Sequence, residues 1–268
     1  MSSKCVITVA LFVLALAIMP GVEANNADDS EFLWLVNRDS ALPSSHVPKN
    51  LVSYNGFFLQ EAALSAYKQM TNAMSEDGIN GLRLQSAYRA YSYQESIFQR
   101  RVREYAAKGH SLRDATALAA TSIHPPGSSE HQLGLALDVS IDGMLTQAFG
   151  ETDAGKWLAE NCHNYGFIIR YPREKTDITQ IVYEPWHLRY VGVPHSKIMK
   201  NIGLTLEEYL IYIADAGMYI SWEEEMYYLL VYSDTFPTEN LADVIDVSSL
   251  GADRDRYIIT IQRKGYCR

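Results

Sequence analysis

Hydrophobic residues recur with two different periods along the middle of the chain. Spacing of three and four residues predicts five helices, over residues 56–74, 92–108, 111–120, 153–165 and 205–216. Alternation and short β-forming runs predict strands at residues 82–88, 132–141, 167–171, 178–183 and 188–191. Helices and strands do not alternate at regular crossover lengths, and no Gly-rich phosphate loop follows a strand. We therefore expect an α+β fold and not a doubly wound parallel sheet.

The alternating segment 132–141 has one apolar side and one nearly bare side. Leu137 and Val139 point one way, whereas Ala136 and Asp138 point the other way, because successive residues of a strand face opposite sides. The second side therefore presents one carboxylate beside small residues, which leaves room for a metal ion and a substrate.

Two helix starts carry the sequence of a capping box, in which an N-cap hydroxyl and a glutamate three residues later bind each other's backbone N–H groups. The pairs are Ser92 with Glu95, and Thr205 with Glu208. We expect both boxes to form.

Residues 1–24 have the pattern of a secretory signal. Lys4 precedes an apolar run from Cys5 to Met19, and Ala24 ends a Val-Glu-Ala sequence that suits a signal peptidase. The run is shorter than the roughly 20 apolar residues of a spanning helix. We expect cleavage after Ala24 and export, with a retained N-terminal membrane anchor as the alternative.

The rest of the chain divides into three parts. Residues 25–55 are rich in Pro, Ser and Asn, which predicts an extended lead-in on the surface. The predicted helices and strands place the main domain at 56–216. Residues 217–268 contain β-forming runs separated by Pro, Asp and Gly, which predicts a small strand-rich appendage.

Composition narrows the possible partners. The 268 residues are 47% hydrophobic and 21% charged, which is typical of a globular protein, and the formal net charge is -9. Removal of the signal takes away one Lys and one Glu and leaves that charge unchanged. An acidic protein lacks the basic surface that binds nucleic acid or anionic lipid, so neither is expected as a partner.

Three cysteines become two after signal cleavage, because Cys5 lies in the removed segment. Cys162 and Cys267 can then form one disulfide in an oxidising exterior. The alternative is a buried free thiol at Cys162, which lies within a helical pattern.

Two histidines and two carboxylates have the character of a metal-assisted site. Six residues separate His131 from Asp138, and Glu184 and His187 stand in a Glu-Pro-Trp-His run. The proline argues against a helical turn, so a strand end or tight bend is expected there. Two His and one Asp suit zinc, which in catalytic sites takes three protein ligands and lowers the pKa of a bound water from about 15.7 to about 7. Glu184 is then a spare carboxylate for proton transfer.

From the residues alone, these groups also have a simpler interpretation. His131 can be a loop residue, Asp138 a turn-side acid, and Glu184 with His187 a local hydrogen-bonded pair. Arg89 can form a structural ion pair. Four of the remaining histidines are expected at the surface or at helix caps: His46, His110, His163 and His195. His124, which precedes two prolines in a loop, is expected to be solvated, and a position lining the cleft is the alternative.

Four ordered motifs resemble those of the VanY-type D-alanyl-D-alanine carboxypeptidases, which are zinc peptidases of bacterial cell-wall metabolism. Residues 129–138, SEHQLGLALD, resemble the family motif SxHxxGxAxD, and residues 184–192, EPWHLRYVG, resemble ExWHxRYVG. The stretch SAYRAY at 86–91 and the region 157–172, which ends in YGFIIRYP, also match. The resemblance covers roughly residues 35–210.

The resemblance implies a fold, a metal and a base. The fold would be an antiparallel sheet flanked by helices, of the hedgehog/D,D-peptidase type. His131, Asp138 and His187 would bind one zinc ion, and Glu184 would be the catalytic base.

The resemblance also implies a substrate pocket. Arg89 would hold the free C-terminal carboxylate of the peptide, and Gln94 and Ser129 would add polar contacts. A planar guanidinium suits this role, because it recognises a carboxylate with two parallel hydrogen bonds.

The implied activity is removal of the terminal D-alanine from peptidoglycan stem peptides by a secreted bacterial monomer. L,D-carboxypeptidase, D-Ala-D-Ala dipeptidase and peptidoglycan endopeptidase activity are alternatives within the family. A cell-wall-binding module with a vestigial zinc site is an alternative without catalysis. Glu184 argues against the last, since a structural metal does not require a spare base.

Overall fold

A computed structural model describes residues 30–223, 226–237 and 243–264. The predicted signal at residues 1–24 and the predicted disulfide partner Cys267 lie outside the described residues. Cys162 is buried and forms no disulfide with another of the described residues. Among the helices of the described ranges, none combines the length and the apolar character needed to cross a membrane.

Seven helices and ten strands make up the described chain. The helices are α1 (Glu61–Glu76), α2 (Tyr91–Ala107), α3 (Leu112–Ala120), α4 (Asp153–Asn161), α5 (Thr176–Thr179), α6 (His195–Ile202) and α7 (Leu206–Ala216). The strands are β1 (Leu51–Tyr54), β2 (Phe57–Gln60), β3 (Arg83–Ser86), β4 (Ala136–Ser140), β5 (Phe167–Tyr171), β6 (Glu184–Tyr190), β7 (Met218–Glu223), β8 (Met226–Ser233), β9 (Val244–Ser249) and β10 (Tyr257–Lys264).

The strands form two four-stranded sheets and one hairpin, all antiparallel. The central sheet has the order β3-β4-β6-β5, the C-terminal sheet has the order β7-β8-β10-β9, and β1 pairs with β2. The predicted α+β class with an antiparallel sheet and a strand-rich C-terminal region is confirmed.

The central sheet has one apolar face. Leu137 and Leu188 pair across β4 and β6, and they share a core with Leu64 and Met70 of α1 and Leu158 of α4. Asp138 and His187 are the next cross-strand pair, so they lie on the other face. The helical layer over the apolar face thus fixes the side of the sheet that carries the candidate site.

Several predicted boundaries differ from the structure. Residues 57–60 form β2 and not the first turn of a helix, because they pair with β1. The strand predicted at 178–183 is absent, and α5 ends there before β6 begins at Glu184. The capping box predicted at Ser92 does not form, since α2 begins at Tyr91 with no side-chain cap. The box of Thr205 and Glu208 does form.

The lead-in lies on the surface only in part: residues 38–41 and 43–45 are exposed, but an earlier stretch is not. Leu33, Trp34 and Val36 are all buried. Nη2 of Arg189 donates hydrogen bonds to the backbone carbonyls of Phe32 and Trp34, both at 3.0 Å. The Pro- and Ser-rich composition nearby does not show this, because the partner of the segment is more than 150 residues away.

His195 is buried, which excludes the predicted surface position, and it is the first residue of α6, the helix end that was the alternative. Its Nδ1 hydrogen bonds with the Tyr209 hydroxyl at 2.8 Å, and its Nε2 with the Thr260 hydroxyl at 3.1 Å. These contacts join α6, α7 and the C-terminal sheet. Burial lowers the pKa of His195 to about 3.

We expect His195 to make the protein acid-sensitive. Its pKa in the folded state is about 3, below the unfolded value of 6.5, so between these values the unfolded chain binds more protons. The contribution of neutral His195 to the free energy of unfolding is therefore fully present above pH 6.5. It decreases as the pH is lowered, by at most about 1.4 kcal/mol per pH unit.

The measurement is urea unfolding of wild type and His195→Gln across that pH range. The difference in unfolding free energy, wild type minus variant, should shrink as the pH falls. Parallel stability curves would show that His195 titrates in the folded protein.

Candidate metal centre

His131, Asp138 and His187 form a buried cluster whose ligand atoms all lie within 4.8 Å of one another. Nε2 of His131 lies 3.3 Å from Oδ2 of Asp138, and Nδ1 of His187 lies 3.0 Å from Oδ1 of the same carboxylate. The structure therefore brings together the three residues that the sequence predicts as metal ligands.

The sheet register explains two of the three positions. Asp138 of β4 and His187 of β6 are directly opposite each other, and cross-strand partners point to the same face. His131 lies in a single 3-10 turn at Glu130–Leu133, and Gly134 ends this turn with a φ of +67°. This left-handed φ favours glycine at the reversal that returns the chain to β4, and a Cβ on Gly134 would also lie only 3.3 Å from the backbone nitrogen of Gln60.

The donor atoms fit a metal ion. Nδ1 of His131 donates a hydrogen bond to the carbonyl of Ala87 at 2.6 Å, which places the proton on Nδ1 and leaves a lone pair on Nε2. This Nε2 is buried and has no hydrogen-bond partner among the described residues. Two imidazoles and one carboxylate make a donor set of the kind that holds catalytic zinc and leaves one position open.

The two carboxyl groups of the site have different ionisation. Burial opposes ionisation of Asp138, but His131 and His187 outweigh it and hold the pKa of that carboxyl well below its usual range. Burial raises the pKa of Glu184 to about 8, and His187 and Arg89 oppose this shift only in part. Oε2 of Glu184 lies 3.9 Å from Nδ1 of His187, so a carboxyl of high proton affinity borders the cluster.

Arg89 and Ser129 lie beside the cluster. The backbone N–H of Arg89 donates to the carbonyl of His131 at 3.1 Å, and its Nη2 lies 3.7 Å from Oδ2 of Asp138. Nε of Arg89 is buried and has no hydrogen-bond partner among the described residues. Ser129 is buried directly before the turn that carries His131. A free donor next to the metal ligands is what recognition of an anionic group requires.

Gln94 is bound within the protein through its amide nitrogen. It is 1% exposed, and its Nε2 donates to the carbonyl of His124 at 2.7 Å. His124 is buried, which corrects the predicted surface position, and its Nε2 hydrogen bonds with the Tyr171 hydroxyl at 2.8 Å. The Tyr171 ring lies 4.8 Å from that of His187. Gln94 thus holds the loop that carries His124, and His124 contacts Tyr171, whose ring packs against the metal ligand His187.

Sequence reasoning missed a buried network of ion pairs next to the cluster. Oε1 of Glu130 accepts hydrogen bonds from Nε of Arg170 at 2.8 Å, and it lies 2.7 Å from Nη1 of Arg189. The guanidinium of Arg170 also donates two hydrogen bonds to Glu207, at 2.9 and 2.6 Å. The sequence feature that could have identified this network is the position of its residues next to the motifs. Glu130 directly precedes His131, and Arg189 lies within the second motif.

Comparison with known proteins agrees with the motifs. The family model of VanY, D-alanyl-D-alanine carboxypeptidase, matches residues 56–193. A D-alanyl-D-alanine carboxypeptidase of Enterococcus faecalis (strain ATCC 700802 / V583) is 40% identical over 185 residues, or 68% of this chain and 67% of that protein. The chain thus spans about two thirds of the length of this relative, and it spans a similar share, 66%, of a second curated relative.

Two solved structures are similar to the fold. The crystal structure of a VanY D,D-pentapeptidase in complex with Zn(II) has a TM-score of 0.61 at 38% identity, and covers 68% of this chain and 99% of that chain. The crystal structure of the D,D-dipeptidase VanXYg with a D-Ala-D-Ala phosphinate analogue has a TM-score of 0.72 at 27% identity. It covers 87% of this chain and 94% of that chain. Residues 1–216 are about 81% of the 268 residues, so this match includes part of the C-terminal sheet.

We expect Asp138→Asn to bind zinc at least about tenfold more weakly than wild type, because loss even of outer contacts to a ligand costs roughly 10- to 100-fold. Chelator competition on the purified protein measures this affinity. Asp142→Asn is the matched control, since Asp142 is exposed beyond the end of the same strand and has a left-handed φ of +61° that Asn tolerates. Equal zinc affinities of the two variants would remove Asp138 from the ligand set.

Proposed function

The chain belongs to the VanY family of D-alanyl-D-alanine carboxypeptidases, and we propose that it removes the terminal D-alanine from peptidoglycan stem peptides. The observation that carries this proposal is the arrangement of three metal ligands, one carboxyl of raised pKa and one arginine with a free donor. These are the groups needed to cut a peptide bond next to a free carboxylate.

Arg89 is the residue we propose to hold the chain end. Its buried Nε lacks a partner, and its Nη2 is 3.7 Å from Asp138, so its guanidinium has capacity for a second anion close to the metal ligands. A carboxylate bound there would place the last peptide bond at the cluster. Ser129 and Gln94 would complete the polar wall of this pocket, with the unpartnered Oε1 of Gln94 available as an acceptor.

Glu184 is the proposed base. His131, Asp138 and His187 would hold a zinc ion, which supplies Lewis-acid chemistry by acidifying a water molecule and polarising the peptide carbonyl. Glu184 takes the proton from the attacking water and delivers it to the departing amine of D-alanine. Burial raises the pKa of Glu184 to about 8, and the charge of a zinc ion at the cluster would oppose this shift, so that the carboxylate form would be available to accept a proton near neutral pH and then release it.

The proposed place of action is outside the cytoplasm, on the cell wall. This follows from the signal pattern at residues 1–24 together with the peptidoglycan substrate of the family. Cleavage after Ala24 would release a monomeric secreted enzyme, and retention of the segment would leave the enzyme anchored at the membrane.

A second candidate activity is D-Ala-D-Ala dipeptidase action. The dipeptidase VanXYg matches 87% of this chain, which includes part of the C-terminal sheet, whereas the VanY structure matches 68%. The free dipeptide is therefore a necessary substrate in any test.

We expect the zinc-loaded protein to release D-alanine from a pentapeptide stem ending in D-Ala-D-Ala, as measured by mass spectrometry of the products. The tetrapeptide stem tests L,D-carboxypeptidase action, and the free dipeptide tests dipeptidase action. Cleavage of the dipeptide alone would replace the proposed activity with the second candidate.

Glu184→Gln is the control for chemistry in this assay. It keeps the size of the side chain and should keep zinc, but it cannot accept a proton, so kcat should fall by roughly 10²- to 10⁴-fold. Full turnover in this variant would show that another group is the base.

For Arg89→Ala we expect a selective loss on peptides with a free C-terminal carboxylate. A hydrogen bond to a charged group contributes about 1.5–3 kcal/mol, so kcat/KM should fall by about 10- to 100-fold. The measurement is kcat/KM on matched peptides with carboxylate and amide ends, together with zinc content. An equal loss on both peptides would contradict the proposed role of Arg89.

A further inference from the structure

We propose that Glu130 is a positioning residue for the metal ligand His187, through the proton on Nε2 of that ring. Oε2 of Glu130 lies 3.9 Å from Nε2 of His187. Both atoms are buried, and within the described part of the chain neither has a hydrogen-bond partner. The inference rests on the metal centre of the proposed function.

The nitrogen that faces the cluster decides where the proton must be. Nδ1 of His187 faces the cluster, because it hydrogen bonds with Oδ1 of Asp138 at 3.0 Å, and a metal ion bound by both atoms would take the place of the proton that Nδ1 donates. A neutral imidazole that offers the lone pair of Nδ1 carries its proton on Nε2. That N–H needs an acceptor, because a buried donor without one is costly.

Glu130 is the acceptor that the structure offers. Its Oε1 is engaged by Arg170 and Arg189, at 2.8 and 2.7 Å, which leaves Oε2 directed at His187. Two guanidinium groups contact this carboxylate and balance its negative charge, so Oε2 can serve as a charged acceptor. A metal-ligating histidine commonly donates its second N–H to such a carboxylate, which fixes the tautomer and increases the basicity of the ligand.

The two histidine ligands are thus oriented by different acceptors. His131 donates from Nδ1 to the Ala87 carbonyl, which is set by the backbone. His187 depends on a side chain, whose direction is set by the two arginines. Arg170 is in turn held by Glu207 of α7, so the orientation of His187 also depends on an element outside the central sheet.

Glu130→Gln tests the proposal, and Glu223→Gln is its matched control. In Glu130→Gln the arginines hold the amide oxygen, so the amide NH₂ faces the Nε2–H of His187 and opposes the ligating tautomer. Glu223→Gln removes the carboxylate of a different ion pair, which Glu223 of β7 forms with Lys197 of α6 at 2.8 Å. We expect zinc affinity to fall by roughly 10- to 100-fold in Glu130→Gln and to stay near wild type in Glu223→Gln, by chelator competition on variants whose metal-free fold is verified by circular dichroism.

The second measurement needs no variant. Nitrogen-15 NMR of the zinc-loaded wild type should show His187 protonated on Nε2, with a slowly exchanging proton. Equal zinc affinities of the two variants, or a proton on Nδ1 of His187, would overturn the proposal. Neither measurement uses a peptide substrate. The role of Glu130 can therefore be tested independently of the proposed peptidoglycan substrate.

Discussion

The structure depends on the pairing of charges on the inner, polar face of the central sheet. Glu130, Arg170 and Arg189 are at most 1% exposed, and a buried charge without a partner costs several kcal/mol. Two arginines face one carboxylate there, so further acceptors are required. The lead-in supplies backbone carbonyls to Arg189, and Glu207 supplies a second carboxylate to Arg170. The lead-in and helix α7 are therefore part of the same electrostatic unit as the metal cluster.

This pairing also separates the roles of the two carboxyl groups in the site. Asp138 lies between His131 and His187, which stabilise its charge and keep it available as a ligand. Glu184 is as buried, but the positive groups near it only partly compensate for burial, so it favours the protonated form. Environments that push the pKa values of two neighbouring carboxyls apart assign one to metal binding and the other to proton transfer.

The residues of the metal cluster could be named from the sequence because their signals are local, but it was the resemblance to the VanY-type motifs that favoured a metal site over a loop histidine and a local hydrogen-bonded pair. Alternation placed Asp138 on the bare side of a strand, and Pro185 excluded a helix next to His187. The burial of Glu130, His124 and the lead-in could not be predicted in this way. Their partners are at residues 170, 171 and 189, and pairings over 40 to 158 residues leave no local periodicity.

The appendage after α7 supports the site through its packing against that helix. Tyr209 and Ile213 of α7 share a core with Leu230 and Ile258 of the C-terminal sheet. Glu207 lies on the same helix, so the sheet that packs against α7 fixes the carboxylate that holds Arg170. Arg170 in turn directs Glu130. The C-terminal sheet therefore has a structural role in supporting the metal centre, and this role requires no separate binding activity of the sheet.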